Sequence, residues 1–526
     1  MNQLGQRMER HKQLIRSGFL VLLTVVFFLY GALRISGSGY PDDTRGVLIA
    51  LFLGAGVLGV GLMVLLYWLS FHKTVRVERL FLLSGILLAL AYMLFFPPVS
   101  VPDEQAHYIT AYRLSNLFLF HFDQIGNQDV LIRAADAEFF RYFDGNGILD
   151  GDKYSLLLQH FSWFAGGNTG METYSYDAVT NVPLGYVASA LGIAVGRVLH
   201  LGGGPVFYLG RMFNMAQYIA LAYGAMRRIP LGKTVLFVIS LFPMTLHLCA
   251  SYSYDCMIIG VSMCFVAEVV RMIYGDSIRR RQLIFCAVLC FILAPSKLVY
   301  TPLLFLVLLI PGDKLKAVFP RPNLLKALLI LVGILGLLIG QLNSMASYVG
   351  ESAGAYVSWA GEEGYSLTWV LQNPIGTVIV FLNTVLNMTD FYFSSLLGGS
   401  LGWLQISVPY YFCLPFAALF CLACMRRREE VPGLAFMPKC WVFLLILGSC
   451  GLILASMFLS WTPIDSGIIL GVQGRYFLPL LPAVFLLLRG NGITVSGGVD
   501  RHIVFLSSTL NILVLAYCFL TVFGAI

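Results

Sequence analysis

Charged residues are scarce in this chain of 526 residues, where they make up only 12% of the total. An ordinary soluble domain keeps about 25% of its residues charged, so roughly half of the expected charge is absent. Hydrophobic residues account for 58%, the mean hydropathy is +0.81, and apolar runs recur that approach the ~20 residues needed to cross a bilayer. These features exclude a soluble globular protein and predict an all-α polytopic membrane protein.

The sequence also lacks the motifs of nucleotide chemistry. It has no G-x-G-x-x-G after a predicted strand and no G-x-x-x-x-G-K-[ST] phosphate loop. No cytoplasmic loop predicted below exceeds about 16 residues, whereas a nucleotide-binding βαβ unit needs ~30. The eleven cysteines lie mostly in apolar runs as small packing residues, so we predict no disulfide framework and no metal site. The net charge of +7 reflects loop asymmetry and does not indicate a nucleic-acid partner.

Hydropathy predicts about thirteen membrane spans. They cover residues 17–35, 46–71, 80–97, 206–226, 231–249, 254–274, 282–295, 298–311, 324–342, 404–424, 440–460, 475–489 and 502–525. The loops on one side hold 23 of the 34 Lys and Arg but only 7 of the 27 Asp and Glu. Because cytoplasmic loops are rich in Lys and Arg, this asymmetry places the N-terminus in the cytoplasm.

Two further apolar segments are residues 181–200 and 373–399. If either of them crossed the bilayer, the basic loops that follow it would move to the extracytoplasmic side. We therefore predict that both are juxtamembrane or re-entrant helices on the outer face. The organisation that follows has five regions. They are three N-terminal spans (1–97), a first extracytoplasmic region with an acidic motif (98–205), central spans (206–342), a second extracytoplasmic region (343–403) and C-terminal spans (404–526).

Polar residues that interrupt or adjoin the spans gather at one face of this topology. They lie in PDEQAH (102–107), TNVPLGY (180–186), YLGRMFN (208–214), SYSYD (251–255), APSKLVY (294–300), NMTDFY (387–392), SWTPIDSG (460–467) and GVQGRYF (471–477). Charged groups at membrane depth are costly and usually line a cavity or a pathway. The clustering therefore predicts one site that opens on the extracytoplasmic side.

Asp103 and Glu104 are adjacent acids just beyond a span that ends in prolines. On a strand or turn their side chains diverge, so only one of them easily faces a given substrate. Partial desolvation raises the pKa of such a carboxylate, which suits a general base. The alternatives are an ordinary boundary charge for either acid and a structural hydrogen-bonding role for His107.

Lys297 and Arg475 each stand at a helix end in apolar surroundings, where they are suited to binding an anionic lipid phosphate. The alternative is that both snorkel to the interface. Asp255 lies between two spans and could instead be the N-cap of the helix that follows. The substrate cavity is predicted to be lined by Asp255, Tyr254, Tyr300, Gln473, Tyr476 and Asn181.

At PPVSVPDEQAHYITAYRLSN the chain resembles the bacterial membrane family labelled domain of unknown function 2142. TNVPLGY, GRMFN, SYSYD, PSKLVY and GVQGRYFLPLLP resemble further blocks of that family in the same order, over residues 80 to 490. That family in turn is similar to the GT-C glycosyltransferases, in which an acidic motif in the first large extracytoplasmic loop activates the acceptor hydroxyl. The second proline of their juxtamembrane motif is absent here, where Leu184 follows Pro183.

The resemblance implies a hexosyl- or pentosyltransferase that uses an undecaprenyl-phosphate-linked sugar. Asp103 would be the base, supported by Glu104 and His107, and the donor phosphate would contact Arg475, Lys297 and Arg211. The acceptor would be a polysaccharide or glycolipid of the cell envelope. No cofactor is required by these residues, and a divalent cation, Mg or Mn, stays open. Tryptophans of the outer segments could stack on sugar rings or anchor at the interface: Trp163, Trp359 and Trp403.

Two other classes of function stay open. A transporter or flippase of lipid-linked saccharides would also place polar residues in the membrane, but it would expose them from both faces and often shows inverted repeats. A non-catalytic envelope-assembly protein could keep the fold and would tolerate Asp103→Asn and Glu104→Gln without losing its product.

Overall fold

The computed structural model describes residues 3–73, 75–121, 129–145, 147, 149–176, 183–350, 356–490 and 492–524. The N-terminal part consists of three long helices, the second of which continues as a short π-helical turn, Trp68–His72. These helices are α1 (Gln3–Ser36), α2 (Asp42–Tyr67) and α3 (Val77–Phe95).

The segment that follows α3, here called the first insertion, is a small α+β unit. Its elements are α4 (Glu104–Phe118), β1 (Asp129–Arg133), α5 (Ala134–Arg141), α6 (Gly151–His160), β2 (Met171–Ser175) and α7 (Pro183–Val198). Strands β1 and β2 pair antiparallel, with Asp129 opposite Ser175 and Arg133 opposite Met171. A separate aromatic core that includes Tyr108, Phe140 and Phe207 fixes this unit on the start of the next helix, α8 (Gly203–Arg228).

The central part continues with helices α8 to α14 and one 3-10 helix, Leu298–Leu309. The α-helices are α8 (Gly203–Arg228), α9 (Lys233–Ser240), α10 (Pro243–Cys249), α11 (Asp255–Tyr274), α12 (Arg280–Ser296), α13 (Gly312–Lys316) and α14 (Pro322–Gly350). Helix α11 is the most deeply buried of the long apolar helices, with 89% of its most apolar stretch buried inside the protein. Its principal neighbours are α8 and α12.

The C-terminal part alternates helices with three pairs of very short strands. Its elements are β3 (Tyr356–Val357), β4 (Glu362–Glu363), α15 (Leu367–Gln372), α16 (Pro374–Leu396), β5 (Ser400–Leu401), β6 (Ile406–Ser407), α17 (Tyr410–Cys424), β7 (Arg426–Arg427), α18 (Phe436–Ser460), the 3-10 helix Gly474–Leu480, α19 (Leu481–Leu488), β8 (Thr494–Val495) and α20 (Val499–Val522). The hairpin β5–β6 lies beside the loop that follows α3, to which it contributes Trp403.

Eight helices in the described part of the chain are long and apolar enough to cross a membrane. They are Leu14–Ser36, Asp42–His72, Val77–Phe95, Asp255–Tyr274, Pro322–Gly340, Pro374–Leu396, Phe436–Ser460 and Val499–Val522. Many of them expose large apolar side chains, such as Leu58 and Leu386, along their length. Such surface is stable only against lipid or another protein, so the prediction of an all-α polytopic membrane protein is confirmed.

The other predicted spans are helical but fall short of a full crossing by length or composition. Prolines explain most of the breaks, because proline lacks the N–H that continues a helix. Pro243 starts α10 and divides the predicted span 231–249, Pro302 lies within the 3-10 helix Leu298–Leu309, and Pro479 lies within the 3-10 helix that precedes α19. Polar residues of α8, Arg211 and Asn214 among them, lower its hydropathy.

The two segments that were predicted not to cross the bilayer differ in the structure. The apolar part of α7, Leu184–Val198, is too short to qualify as a span and packs on α4 and α8, which agrees with a juxtamembrane position. Helix α16 is continuous over 23 residues and long enough to cross. The length of α16 is therefore compatible with a membrane span. The prediction that this segment lies outside the bilayer depends only on the distribution of Lys and Arg among the loops.

Candidate functional site

The candidate site is built on the loop Phe96–Asp103 between α3 and α4. Pro97 and Pro98 stop α3, because proline cannot continue the hydrogen bonding of a helix. Two residues of this loop that are not glycine, Val99 and Asp103, have φ angles of 61° and 63°. This left-handed conformation is strained, most of all for a β-branched valine, and such strain persists only where the surroundings enforce it.

Three side chains from distant elements enforce that conformation. Lys153 of α6 and Trp403 of the β5–β6 hairpin both donate to the carbonyl oxygen of Val99, at 2.9 and 3.1 Å. Arg211 of α8 donates to the carbonyl oxygens of Phe96 and Pro97 at 2.6 and 3.0 Å. The loop is therefore held in one shape, and the direction in which Asp103 points is set before any substrate binds.

The two adjacent acids of the motif point to different places. The side chain of Glu104 is 0% exposed and forms a two-pronged ion pair with Arg211, at 2.8 Å to Nε and 2.6 Å to Nη2. The backbone N–H of Tyr252 also donates to Glu104, at 3.2 Å. The side chain of Asp103 is 52% exposed. The divergence expected of adjacent acids is present, and Asp103 is the member that can meet a substrate.

This geometry corrects two of the predicted roles. Arg211 is 0% exposed, and its guanidinium is occupied by Glu104 and by two backbone carbonyl groups, so it has no free edge for a donor phosphate. Glu104 is equally enclosed and cannot reach an acceptor hydroxyl. We reassign the pair as a buried support that joins α8 to the acidic loop.

Four charged side chains form a continuous chain, here called the charge cluster: Asp103, Arg475, Asp255 and Lys297. Arg475 Nη2 lies 2.6 Å from Asp103 Oδ2, and Arg475 Nε lies 3.8 Å from Asp255 Oδ2. Lys297 Nζ lies 2.9 Å from Asp255 Oδ1. The signs alternate, so the cluster is neutral overall, with Asp103 as its most exposed member.

Tertiary structure brings these four residues together from four elements that meet at one end of the bundle. Asp103 follows α3, Asp255 begins α11, Lys297 follows α12 and Arg475 lies in the 3-10 helix that precedes α19. The alternative roles do not fit this geometry. Arg475 is 3% exposed and therefore does not snorkel, and Asp255 bonds to Lys297 as the first residue of α11 rather than capping it.

Aromatic rings enclose the cationic part of the cluster. Lys297 Nζ lies 4.4 Å from the ring centroid of Tyr476 and 5.0 Å from that of Tyr254. The Tyr300 hydroxyl donates to the backbone carbonyl of Tyr476 at 2.8 Å, which holds the backbone of Tyr476 beside Lys297. Three of the predicted cavity residues therefore do surround the charges.

Of the remaining predicted cavity residues, Gln473 precedes the 3-10 helix that carries Arg475. Its side-chain Oε1 is buried and accepts no hydrogen bond from any described residue. Asn181 lies outside the described residues.

His107 is one helical turn beyond Asp103, on α4. Its Nδ1 lies 2.7 Å from the hydroxyl of Tyr186, and its ring packs edge-on against Tyr254. Burial lowers the pKa of His107 to about 4, even though the Asp103 carboxylate opposes this shift. The imidazole is therefore neutral at pH 7 and positions Tyr186, which favours the structural role over a direct role as an acid.

The electrostatics of Asp103 differ from the prediction. Burial raises the pKa of its carboxyl, as expected at an apolar margin, but the nearby Arg475 guanidinium, with help from His107, outweighs that effect. The net pKa lies below its usual value rather than above it. Asp103 is therefore ionised at neutral pH and is a weaker base than was predicted for as long as Arg475 holds it.

Lys153 was not singled out by sequence reasoning, and the predicted role of Trp403 was a different one. Nothing local marks a lysine of α6 as buried, yet Lys153 is 1% exposed and supports the loop through Val99. Trp403, considered for sugar stacking, binds the same carbonyl. Among the described residues no group of three or more His, Cys, Asp or Glu side chains could hold a metal ion.

Long apolar helices with a charge cluster at one end of the bundle define a polytopic membrane protein with a polar site. The family model described as "Predicted membrane protein (DUF2142)" matches residues 83–484, which include every residue of the charge cluster and most of the chain. The chain belongs to this family. No curated protein and no solved structure matches it.

Proposed function

We propose that this protein is an integral-membrane glycosyltransferase. It would move a sugar from a polyprenyl-phosphate carrier to a hydroxyl of a cell-surface polysaccharide or glycolipid at the extracytoplasmic face of a bacterial membrane. The observation that carries the proposal is the direct contact between an exposed acid, Asp103, and a buried cation, Arg475, at one end of the helix bundle. Such a transfer needs a general base for the acceptor hydroxyl next to a cation that binds the donor phosphate.

Arg475 has hydrogen-bonding capacity to spare. Its Nη2 donates to Asp103, whereas Nε and Nη1 are buried and make no hydrogen bond with any described residue. Buried donors without partners are costly, and a phosphate offers several acceptor oxygens. Because Arg475 is only 3% exposed, contact with a phosphate requires neighbouring side chains such as Tyr476 to move.

The chemical step follows from these positions. The acceptor oxygen attacks the anomeric carbon of the donor sugar, and the bond between that carbon and the phosphate oxygen breaks. The electron pair of the broken bond stays on the phosphate, whose charge Arg475 and Lys297 compensate. The proton of the acceptor hydroxyl moves to Asp103. As the phosphate draws the guanidinium away, Asp103 becomes a stronger base.

The test is transfer itself. Purified protein in lipid vesicles would be incubated with a panel of polyprenyl-phosphate sugars and with envelope polysaccharide, and released polyprenyl phosphate would be measured. We expect one donor to be consumed and the same sugar to be missing from the surface polysaccharide of a deletion strain. Passage of an intact lipid-linked sugar across the vesicle membrane, without cleavage, would instead establish a transporter.

The pH dependence of transfer gives a second prediction. Because Arg475 keeps the pKa of Asp103 below the ordinary ~3.9 of an aspartate, the ionised base persists throughout mildly acid conditions. We expect kcat/KM of the wild type, which reports the pKa values of the free enzyme, to be flat between about pH 5 and 7. In Arg475→Met the largest charge that opposes the effect of burial is removed, the pKa of Asp103 rises, and kcat/KM should fall as the pH drops through this range.

The measurement is the shape of the profile of kcat/KM against pH, because kcat/KM reports the free enzyme, in which Arg475 contacts Asp103. Weaker phosphate binding that does not depend on pH lowers the whole profile without changing its shape. Lys316→Met is the matched control, because this lysine is exposed and its one ion-pair partner in the described part of the chain is Asp313 at the surface. Parallel profiles for Arg475→Met and the wild type would contradict a controlling role of Arg475 over Asp103.

A further inference from the structure

A cavity lies in the first insertion, and no residue of the charge cluster lines it. Its volume is about 180 Å³, and it is formed by α5, the loop after α6 and the start of α8. Ligand pockets for drug-sized molecules usually measure about 300–1,000 Å³, so this cavity suits one small unit such as a single sugar ring.

The walls of this cavity are fixed by backbone contacts. The N–H of Gly202 donates to the carbonyl oxygen of Trp163, and the N–H of Ala165 donates to that of His200, both at 3.0 Å. A Cβ atom at Gly202 would lie 2.0 Å from the carbonyl oxygen of Ser162, so only glycine allows this close approach. The cavity is preformed, and it does not depend on a ligand to assemble it.

The lining combines a carboxylate, an amide and aromatic rings. Glu138 Oε2 accepts a hydrogen bond from Asn168 Nδ2 at 3.1 Å, which orients both groups. The rings of Tyr142 and His160 are stacked with centroids 3.4 Å apart. Among the lining residues there is no Lys or Arg. An anionic ligand would therefore meet the Glu138 carboxylate without a compensating cation.

We propose that this cavity is a binding subsite for a neutral saccharide unit. Sugar hydroxyls donate to the Glu138 carboxylate and accept from the Asn168 amide, while an apolar ring face packs on the aromatic side chains. Phe164, 68% exposed, lines the rim and extends the apolar surface for a following unit. Such a subsite would hold the acceptor chain of the proposed transferase, but the binding itself does not depend on the chemistry at Asp103.

The experiment is a calorimetric titration of the full chain, in detergent or nanodiscs, with free glucose, galactose, mannose, arabinose and N-acetylglucosamine, and separately with Ca²⁺. We expect saturable binding of at least one sugar, and binding at least about tenfold weaker in Glu138→Gln, since hydrogen bonds to charged groups are the strong ones. Asp152→Asn is the matched control, because Asp152 is an exposed acid of α6 that does not line the cavity.

The outcomes separate this proposal from the proposed function. Binding that survives in Asp103→Asn and is lost in Glu138→Gln supports the subsite whether or not transfer is observed. Unchanged sugar affinity in Glu138→Gln overturns it, as does the absence of saturable binding to any of the five sugars. Saturation by Ca²⁺ that depends on Glu138, without sugar binding, would make the cavity a cation site and also overturn it.

Discussion

Asp103→Asn is expected to slow sugar transfer by about 10²–10⁴-fold, the usual contribution of a general base, with little change in the amount of folded protein. The carboxylate is the exposed member of the motif, and its partner Arg475 donates to it at 2.6 Å. Asparagine keeps the size of the side chain and an oxygen for Arg475, but it cannot take up the acceptor proton. The rate of transfer would be measured in vesicles at equal protein abundance.

The choice of asparagine matters because Asp103 has a φ of 63°. Asparagine tolerates the left-handed conformation, whereas alanine or leucine would add backbone strain. With those residues, activity lost because the base is absent could not be separated from activity lost because the loop is distorted. Asp465→Asn is the matched control, since Asp465 is an exposed acid outside the charge cluster. Full activity of Asp103→Asn would remove the proposed base and favour an assembly or transport role.

Glu104→Gln is expected to destabilise the fold by about 3–5 kcal/mol, because it leaves the Arg211 charge buried without its counter-ion. Both side chains are 0% exposed, and Arg211 also supports Phe96 and Pro97 of the acidic loop. The change should appear as a lower melting temperature in detergent and as reduced membrane abundance. Any loss of activity should follow the loss of folded protein.

The double variant Glu104→Leu with Arg211→Met should be more stable than Glu104→Gln alone, since apolar replacement of a buried pair removes the unpaired charge. Recovery should be partial, because the carbonyl groups of Phe96 and Pro97 lose their donor. Asp313→Asn, which breaks an exposed pair with Lys316, should leave stability unchanged. If Glu104→Gln kept the wild-type melting temperature but lost transfer, the original assignment of Glu104 to the catalytic machinery would stand.

Sequence by itself determined the class of this protein and indicated which residues gather at its candidate site. Scarce charge and long apolar runs require a lipid environment, because the free energy of removing apolar surface from water is non-directional and grows with the apolar area that the composition supplies. The gathering of Asp103, Asp255, Lys297 and Arg475 at one end of the bundle also followed from topology, since helices of alternating direction bring alternate ends to the same face.

Only the tertiary structure decided what each of these residues does. Glu104 pairs with Arg211, 107 positions away, and Asp103 pairs with Arg475, 372 positions away. Neither choice is visible locally, because both acids carry the same charge and each partner lies far away along the chain. The sign of the Asp103 pKa shift was wrong in prediction for the same reason: burial could be inferred from an apolar margin, but the guanidinium that outweighs it arrives through packing of distant elements.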